Sequence, residues 1–308
     1  MKYLITGPTG TIGMSLIKQL SLDDNDIWVI CNPKSRRSHI LKQFKNIKVI
    51  YCDMNSYDSI KEEDLPESWD CTINLAWKGT IGGSRDDMLI QSYNILSGIQ
   101  IIELSHKHNC KLFVGAGSQA EYGRKNHPIR EDENTNPENG YGIAKLALNK
   151  MSKTLCEKYR MRFLWLRIFS VYGPYENYYS LTISTILKCI NNKKPSFTSA
   201  EQLWDYAYTD DVADSIIKLI YGQSEGVYNI GSGKMKPLSY YIDKIIKASN
   251  YKGDIGYGEI AYSTKQVMYL CADISKLKET IGDCMKTSFD EGIKNTIDWC
   301  RSLNDYEV

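Results

Sequence analysis

Seven residues near the start of the chain, Gly7-Pro8-Thr9-Gly10-Thr11-Ile12-Gly13, restrict its fold more than any other stretch. Before them, Lys2 to Thr6 reads as a short buried strand; after them, Ile12, Leu16, Ile17 and Leu20 recur on one face of a helix. Strand, glycine turn and helix is the order a dinucleotide site needs. Glycines let the backbone turn tightly and approach a pyrophosphate, and a helix N-terminus attracts its charge. The spacing is G-x-x-G-x-x-G, not G-x-G-x-x-G, and an ordinary strand-to-helix connection is the alternative. The flanking strand and helix favour a cofactor lying against Gly7, Thr9, Gly10, Thr11, Ile12 and Gly13.

Asp26 to Cys31 reads as a second strand, followed by Asn32-Pro33-Lys34-Ser35-Arg36-Arg37. An acid at this place would hold the ribose hydroxyls of NAD, whereas a nearby arginine accommodates the 2′-phosphate of NADP. The acid is absent, so Asn32, Lys34, Arg36 and Arg37 favour NADP(H), with NAD(H) as the alternative. The competing view is a solvated basic loop. Ile47 to Cys52 reads as strand three, with Asp53-Met54 as an edge for the adenine, and Cys71 to Ala76 as strand four. Leu75, Ala76 and Trp77 then fall near the middle of the cofactor. A helix from about Asp86 to His108 and a strand from Lys111 to Gly115 continue the alternation. Such alternation predicts an α/β fold with a Rossmann-type doubly wound parallel sheet.

Beyond the fifth strand runs Gly115-Ala116-Gly117-Ser118-Gln119-Ala120-Glu121-Tyr122-Gly123, and Ser118 would stand where such sheets bind ligands. A further helix carries Tyr141-Gly142-Ile143-Ala144-Lys145. Residues four apart share a helix face, so the Lys145 ammonium can favour the Tyr141 phenolate and prepare it to exchange a proton.

At 308 residues with a net charge of +1, the chain can bury a full core and shows no electrostatic reason to bind nucleic acid or an anionic membrane. Nine scattered cysteines without a Cys-x-x-Cys pair fit reduced thiols in a cytoplasm, and the four histidines add no metal-ligand spacing. No signal peptide and no membrane span are read in the sequence.

With these pieces the chain resembles the extended short-chain dehydrogenase/reductase family, in particular its nucleotide-sugar epimerases, dehydratases and 4-ketoreductases. The resemblance rests on Gly7/Gly10/Gly13, Ser118 ahead of Tyr122-Gly123, Tyr141-x-x-x-Lys145, Leu166 to Pro174, Tyr208-Thr209-Asp210-Asp211-Val212-Ala213, and Tyr228 to Gly233. It implies a nicotinamide cofactor on the N-terminal domain and a nucleotide-diphosphate sugar beneath a smaller C-terminal α/β lobe. Tyr141 would be the acid/base, Lys145 would bind the nicotinamide ribose, and Ser118 would hydrogen-bond the reacting oxygen. Gln119, Glu121, Asn177, Tyr179 and Trp204 would line the substrate, Trp204 alternatively joining the core. Where relatives carry an arginine that grips phosphate before an Asp, this chain has Trp204-Asp205. A homodimer is expected from the family alone.

Departures from the family narrow the chemistry. Sugar dehydratases follow the hydroxyl with Asp and Glu; Gln119 and Ala120 stand here. Relatives that epimerise at C3 and C5 use a Cys at the Ala120 position and a His near Tyr179, and both are missing. What remains is reduction of a 4-keto group or epimerisation at C4. The basic loop favours the first, an NADPH-dependent 4-ketoreductase of a nucleotide-activated 6-deoxy sugar; an NAD-dependent 4-epimerase and a non-catalytic nucleotide sensor are the alternatives. The expected domains are a dinucleotide-binding unit over residues 1–174 plus about 205–232, and a substrate lobe from about 175–204 and 233–308.

Overall fold

The computed structural model describes residues 1–303; the last five residues of the range assigned to the lobe lie outside the described residues. The first half alternates β1 (Lys2–Thr6), α1 (Thr11–Leu20), β2 (Asp26–Cys31), β3 (Ile47–Tyr51), β4 (Cys71–Asn74), α2 (Met88–Lys107), β5 (Leu112–Ser118), α3 (Gly140–Tyr159) and β6 (Arg162–Ile168). After it come β7 (Ser170–Tyr172), α4 (Leu181–Ile190), β8 (Leu203–Tyr208), α5 (Thr209–Tyr221), β9 (Gly226–Ile230), β10 (Met235–Pro237), α6 (Leu238–Ala248), α7 (Ser275–Ile281) and α8 (Phe289–Ser302).

Seven parallel strands form one sheet in the order β3-β2-β1-β4-β5-β6-β9. The order reverses between β1 and β4, and a crevice opens where neighbouring strands lead to opposite sides. Both faces are covered, α1 packing with α5 on one and α2 with α3 on the other, which is why the strands read as nearly continuous apolar runs. At the crevice the Thr6 hydroxyl donates to Asn74 Oδ1 at 2.6 Å and accepts from the Leu75 and Ala76 N–H groups at 3.1 Å. The ends of β1 and β4 are thereby tied.

Strand β5 runs three residues beyond the sequence expectation, to Ser118. Its glycines serve packing. A Cβ at Gly115 would lie 2.3 Å from the Trp165 ring, and one at Gly117 2.2 Å from Trp165 Nε1. Helix α2 starts at Met88, two residues later than expected, because the Asp87 side chain caps it by accepting from Leu89 N and Ile90 N.

Strands β10, β8 and β7 make a second, three-stranded sheet, so residues 170–172 and 205–208 pair away from the main sheet. Helices α4, α6 and α8 pack together behind it. Buried Asp205 joins this sheet to the end of β9, accepting from Ser232 N and Oγ, Gly233 N and Ala272 N. Among the described residues, no helix is long and apolar enough to cross a membrane.

Candidate active site

The turn after β1 follows from its glycines. Gly7 has φ +67°, a conformation L side chains rarely adopt, and a Cβ there would sit 2.8 Å from Ala76 N. Gly13 is equally constrained, since a Cβ would lie 2.4 Å from the Gly7 carbonyl oxygen. At Gly10 the opposite holds: a Cβ would meet only that same oxygen, at 3.8 Å, and otherwise enter open space. Gly10 also provides no side-chain cap for α1, so the helix opens onto a cavity of about 840 Å³. This cradle fits a pyrophosphate.

The cavity runs from Gly7, Gly10, Thr11, Ile12 and Gly13, past Leu75 and Trp77, to Ser118, Gln119, Tyr141, Lys145 and Trp204. Ser118 ends β5 and caps the next turn, its Oγ accepting from Ala120 N at 3.2 Å. Its O–H remains a donor, and the Tyr141 phenol is within its reach. Tyr141 and Lys145 stand in the first turns of α3, which Asn139 caps through a 2.8 Å bond from Gly142 N. Lys145 Nζ donates to the Ala116 carbonyl at 2.6 Å and lies 3.6 Å from the centre of the Trp77 ring.

Electrostatics here differ from the sequence expectation. Lys145 is 5.7 Å from the Tyr141 ring centre, and the phenol is pushed up by desolvation, against the opposing influence of Ser118 and then Arg85. Burial pushes the Lys145 ammonium down to about 7, Glu121 acting the other way. Both residues therefore favour their neutral forms, because both lie in a low-dielectric wall.

Glu121, expected against the substrate, does not line this cavity. It is fully buried and accepts from Ser118 N, Trp165 Nε1, Asn149 Nδ2 and Arg167 Nε at 2.9 to 3.0 Å. The carboxylate fixes Ser118 from behind. Asn177 and Tyr179 also miss the main cavity: with Arg37 they line a separate depression beyond Gly10 and Thr11, and Tyr179 is 84 % exposed. Trp204 does reach the cavity wall while packing on the core, and its Nε1 donates to Ser170 Oγ at 2.7 Å.

At the far end of the cofactor crevice, Asn32 Nδ2 donates to Asp53 Oδ2 and Lys78 Nζ pairs with Asp53 Oδ1, at 2.9 and 2.8 Å. Lys78 above all holds the Asp53 carboxyl below its usual range. Met54 is buried beside it. Thr9 joins the glycine turn to the basic loop through Ser35 at 3.0 Å, and Thr11 donates to the Pro174 carbonyl at 2.7 Å. In that loop Lys34 and Arg36 are exposed. Arg37 instead donates to the carbonyls of Tyr175 and Glu176 and stacks against Tyr178 and Trp299.

Residues the sequence did not suggest also line the cavity: Thr80, Arg85, Asn139, Ser263, Lys265 and Gln266. Asn139 carried a signal, an Asn just before a helical pattern. The others sit in irregular segments whose path only tertiary packing decides.

A doubly wound sheet with a glycine cradle at its reversal, and Ser118, Tyr141 and Lys145 brought to one cavity, defines a nicotinamide-nucleotide-dependent enzyme of the extended short-chain dehydrogenase/reductase type. The chain belongs to the NAD dependent epimerase/dehydratase family, whose model matches residues 3–231. It is 27 % identical to the UDP-glucuronate 4-epimerase of Thermodesulfobacterium geofontis, over 97 % of this chain and 96 % of that one. Identity to the dTDP-6-deoxy-L-talose 4-dehydrogenase (NAD(+)) of Aggregatibacter actinomycetemcomitans is 26 %, over 82 % of this chain and 92 % of the relative. Among solved structures, the UDP-N-acetylglucosamine 4-epimerase of Methanobrevibacter ruminantium, in complex with UDP-N-acetylmuramic acid, superposes with a TM-score of 0.89 at 24 % identity, covering 98 % of both chains.

Proposed function

We propose that the chain is an NAD-dependent nucleotide-sugar 4-epimerase. The observation that carries the reading is the convergence of Ser118, Tyr141 and Lys145 on the cavity that starts at the glycine cradle. Likeness to a UDP-glucuronate 4-epimerase along nearly the whole chain supports the choice of reaction, and Gln119 and Ala120 leave no acid and base for loss of water. The preference for NADPH, and with it for net reduction, loses part of its basis because Arg37 is engaged by the Tyr175 and Glu176 carbonyls.

The bound cofactor supplies a hydride acceptor and donor. In its ionised form Tyr141 takes the proton of the sugar C4 hydroxyl and later gives it back, and Ser118 donates its O–H to the same oxygen, which holds C4 in line. Lys145 orients the cofactor's ribose from its anchor on the Ala116 carbonyl. Exposed Lys265 lines the same cavity as Trp204 and offers the substrate diphosphate a cation in a chain where Trp204 replaces the family's arginine. Because the hydride leaves C4 and returns to C4, no cofactor is consumed.

A second reading, a 4-ketoreductase of a 6-deoxy sugar, is favoured by the 4-dehydrogenase relative and by exposed Lys34 and Arg36. Incubation with UDP-glucuronate, UDP-glucose or UDP-N-acetylglucosamine and catalytic NAD, followed by NMR of the sugar, separates the two. A C4 epimer without change in reduced-nicotinamide absorbance is the expected result. Stoichiometric loss of NADPH absorbance with a dTDP-4-keto-6-deoxy sugar, and no epimer from any substrate, would select the reductase.

A further inference from the structure

Arg85, Lys145 and Lys265 line the cavity, and among the described residues no Asp or Glu lines it with them. Lys145 has its task beside Tyr141 and the cofactor ribose, and Lys265 has one at the diphosphate. No partner in the protein accounts for Arg85. It belongs to the short turn Gly82–Asp86, which is docked on the start of α3. Asp86 Oδ1 accepts from Gly140 N at 2.8 Å, and a Cβ at Gly140 would come within 2.9 Å of the Arg85 carbonyl oxygen.

The Arg85 side chain is half-buried; its Nη1 donates to the Thr80 carbonyl at 3.0 Å, and the guanidinium lies over the Tyr141 ring, 4.3 Å from its centre. The two acids that follow it in the chain are spent elsewhere, Asp86 on Gly140 N and Asp87 on the N–H groups of Leu89 and Ile90 in the first turn of α2. Its charge is felt at the phenol: burial pushes Tyr141 up, and Ser118 and then Arg85 oppose that. A cation kept in a low-dielectric wall without a counter-ion carries a free-energy cost that an arriving anion removes.

We propose that Arg85 receives a carboxylate carried next to C4 of the sugar, on C5 as in a hexuronate or on the C3 oxygen as in a lactyl ether. The inference rests on the reading above that Tyr141 and Ser118 meet the C4 oxygen. With C4 held there, the substituents nearest the Tyr141 ring are those on C3 and C5, whereas the diphosphate leaves from C1 across the sugar ring. A guanidinium presents its N–H groups in a planar fork that matches the two oxygens of a carboxylate, and such a charge-assisted pair is stronger than a bond to a neutral hydroxymethyl or acetamido group. Arg85 therefore selects an acidic sugar over its neutral counterpart and takes no part in the proton transfer.

Binding separates this selection from the reaction. Calorimetry on the NAD-loaded Tyr141→Phe protein, which keeps the ring under Arg85, compares two matched pairs: UDP-glucuronate with UDP-glucose, and UDP-N-acetylmuramate with UDP-N-acetylglucosamine. The acid of one pair is expected to bind about tenfold or more tightly than its neutral partner, the worth of hydrogen bonds to a charged group, and the pair that shows it says which position carries the carboxylate. Arg85→Leu in the same background should remove that preference, and Arg85→Lys, which keeps the charge without the fork, should restore part of it. No preference for either acid while Arg85 is in place overturns the proposal, with no variant of Arg85 needed. A preference that Arg85→Leu leaves intact also overturns it, as does an equal loss for acid and neutral sugar, which would assign Arg85 to the diphosphate. If the acid binds as expected and the wild-type protein forms no C4 epimer from it, the epimerase reading fails and the assignment of Arg85 stands.

Discussion

Lys145 is the residue whose environment makes the sharpest statement about pH. Its folded value is about 7 against an ordinary 10.5. Below pH 7 the folded and unfolded chains both hold the proton, and the cost of burying the charge is fully present. Between about 7 and 10.5 the unfolded chain binds a proton that the folded chain lacks, so this penalty shrinks as pH rises. Lys145→Met should therefore raise Tm most at pH 6, with the gain diminishing towards pH 10; a gain independent of pH would mean the ammonium is solvated. Tyr141→Phe should leave cofactor binding by calorimetry nearly intact and reduce turnover by roughly 10²-fold or more, the usual worth of a positioned acid. That Tyr141 and Lys145 share a cavity with Ser118 was legible because residues four apart lie on one helix face and a strand end faces the crevice. Glu121 was misread because its partners, Asn149, Trp165 and Arg167, lie 28 to 46 residues away, and only folding shows that they surround it.

Among the elements, the glycine turn is the most exacting. Gly13→Ala would put a methyl group 2.4 Å from the Gly7 carbonyl oxygen and 2.9 Å from the Pro8 backbone, where neither neighbour is a flexible side chain. The turn must move, and NAD affinity by calorimetry should fall at least tenfold while far-UV circular dichroism still reports the fold; unchanged affinity would detach the turn from the cofactor. The order strand, turn, helix was readable here because periodicity and glycine fall in register. Strand β5 runs past the Gly115 at which the sequence reading ends it, because Trp165, a neighbour only in the folded sheet, fills the space above Gly115 and Gly117.

For the molecule as a whole, the unsolved face is the one formed by α2 and α3, which pack on each other over the sheet. Leu89, Tyr93 and Leu96 recur at helical spacing on α2 and are each at least half exposed, and Ile143 and Met151 on α3 are nearly so. Such a run of apolar side chains favours a partner surface. A second copy of the chain would cover it, as the family resemblance leads one to expect. Sedimentation should give a dimer that Leu96→Glu converts to monomer, and a wild-type monomer at micromolar concentration would count against that arrangement. The doubly wound sheet was legible from alternating strands and helices, each a local pattern. The far wall of the cavity, with Ser263, Lys265 and Gln266, was not, because an irregular segment between α6 and α7 reaches it without any periodicity. The central claim, that hydride leaves C4 and returns to the same carbon, is tested most directly with UDP-glucuronate deuterated at C4 in the presence of NAD. The expected product is the C4 epimer with its deuterium retained; an epimer carrying hydrogen from solvent at C4 would contradict it.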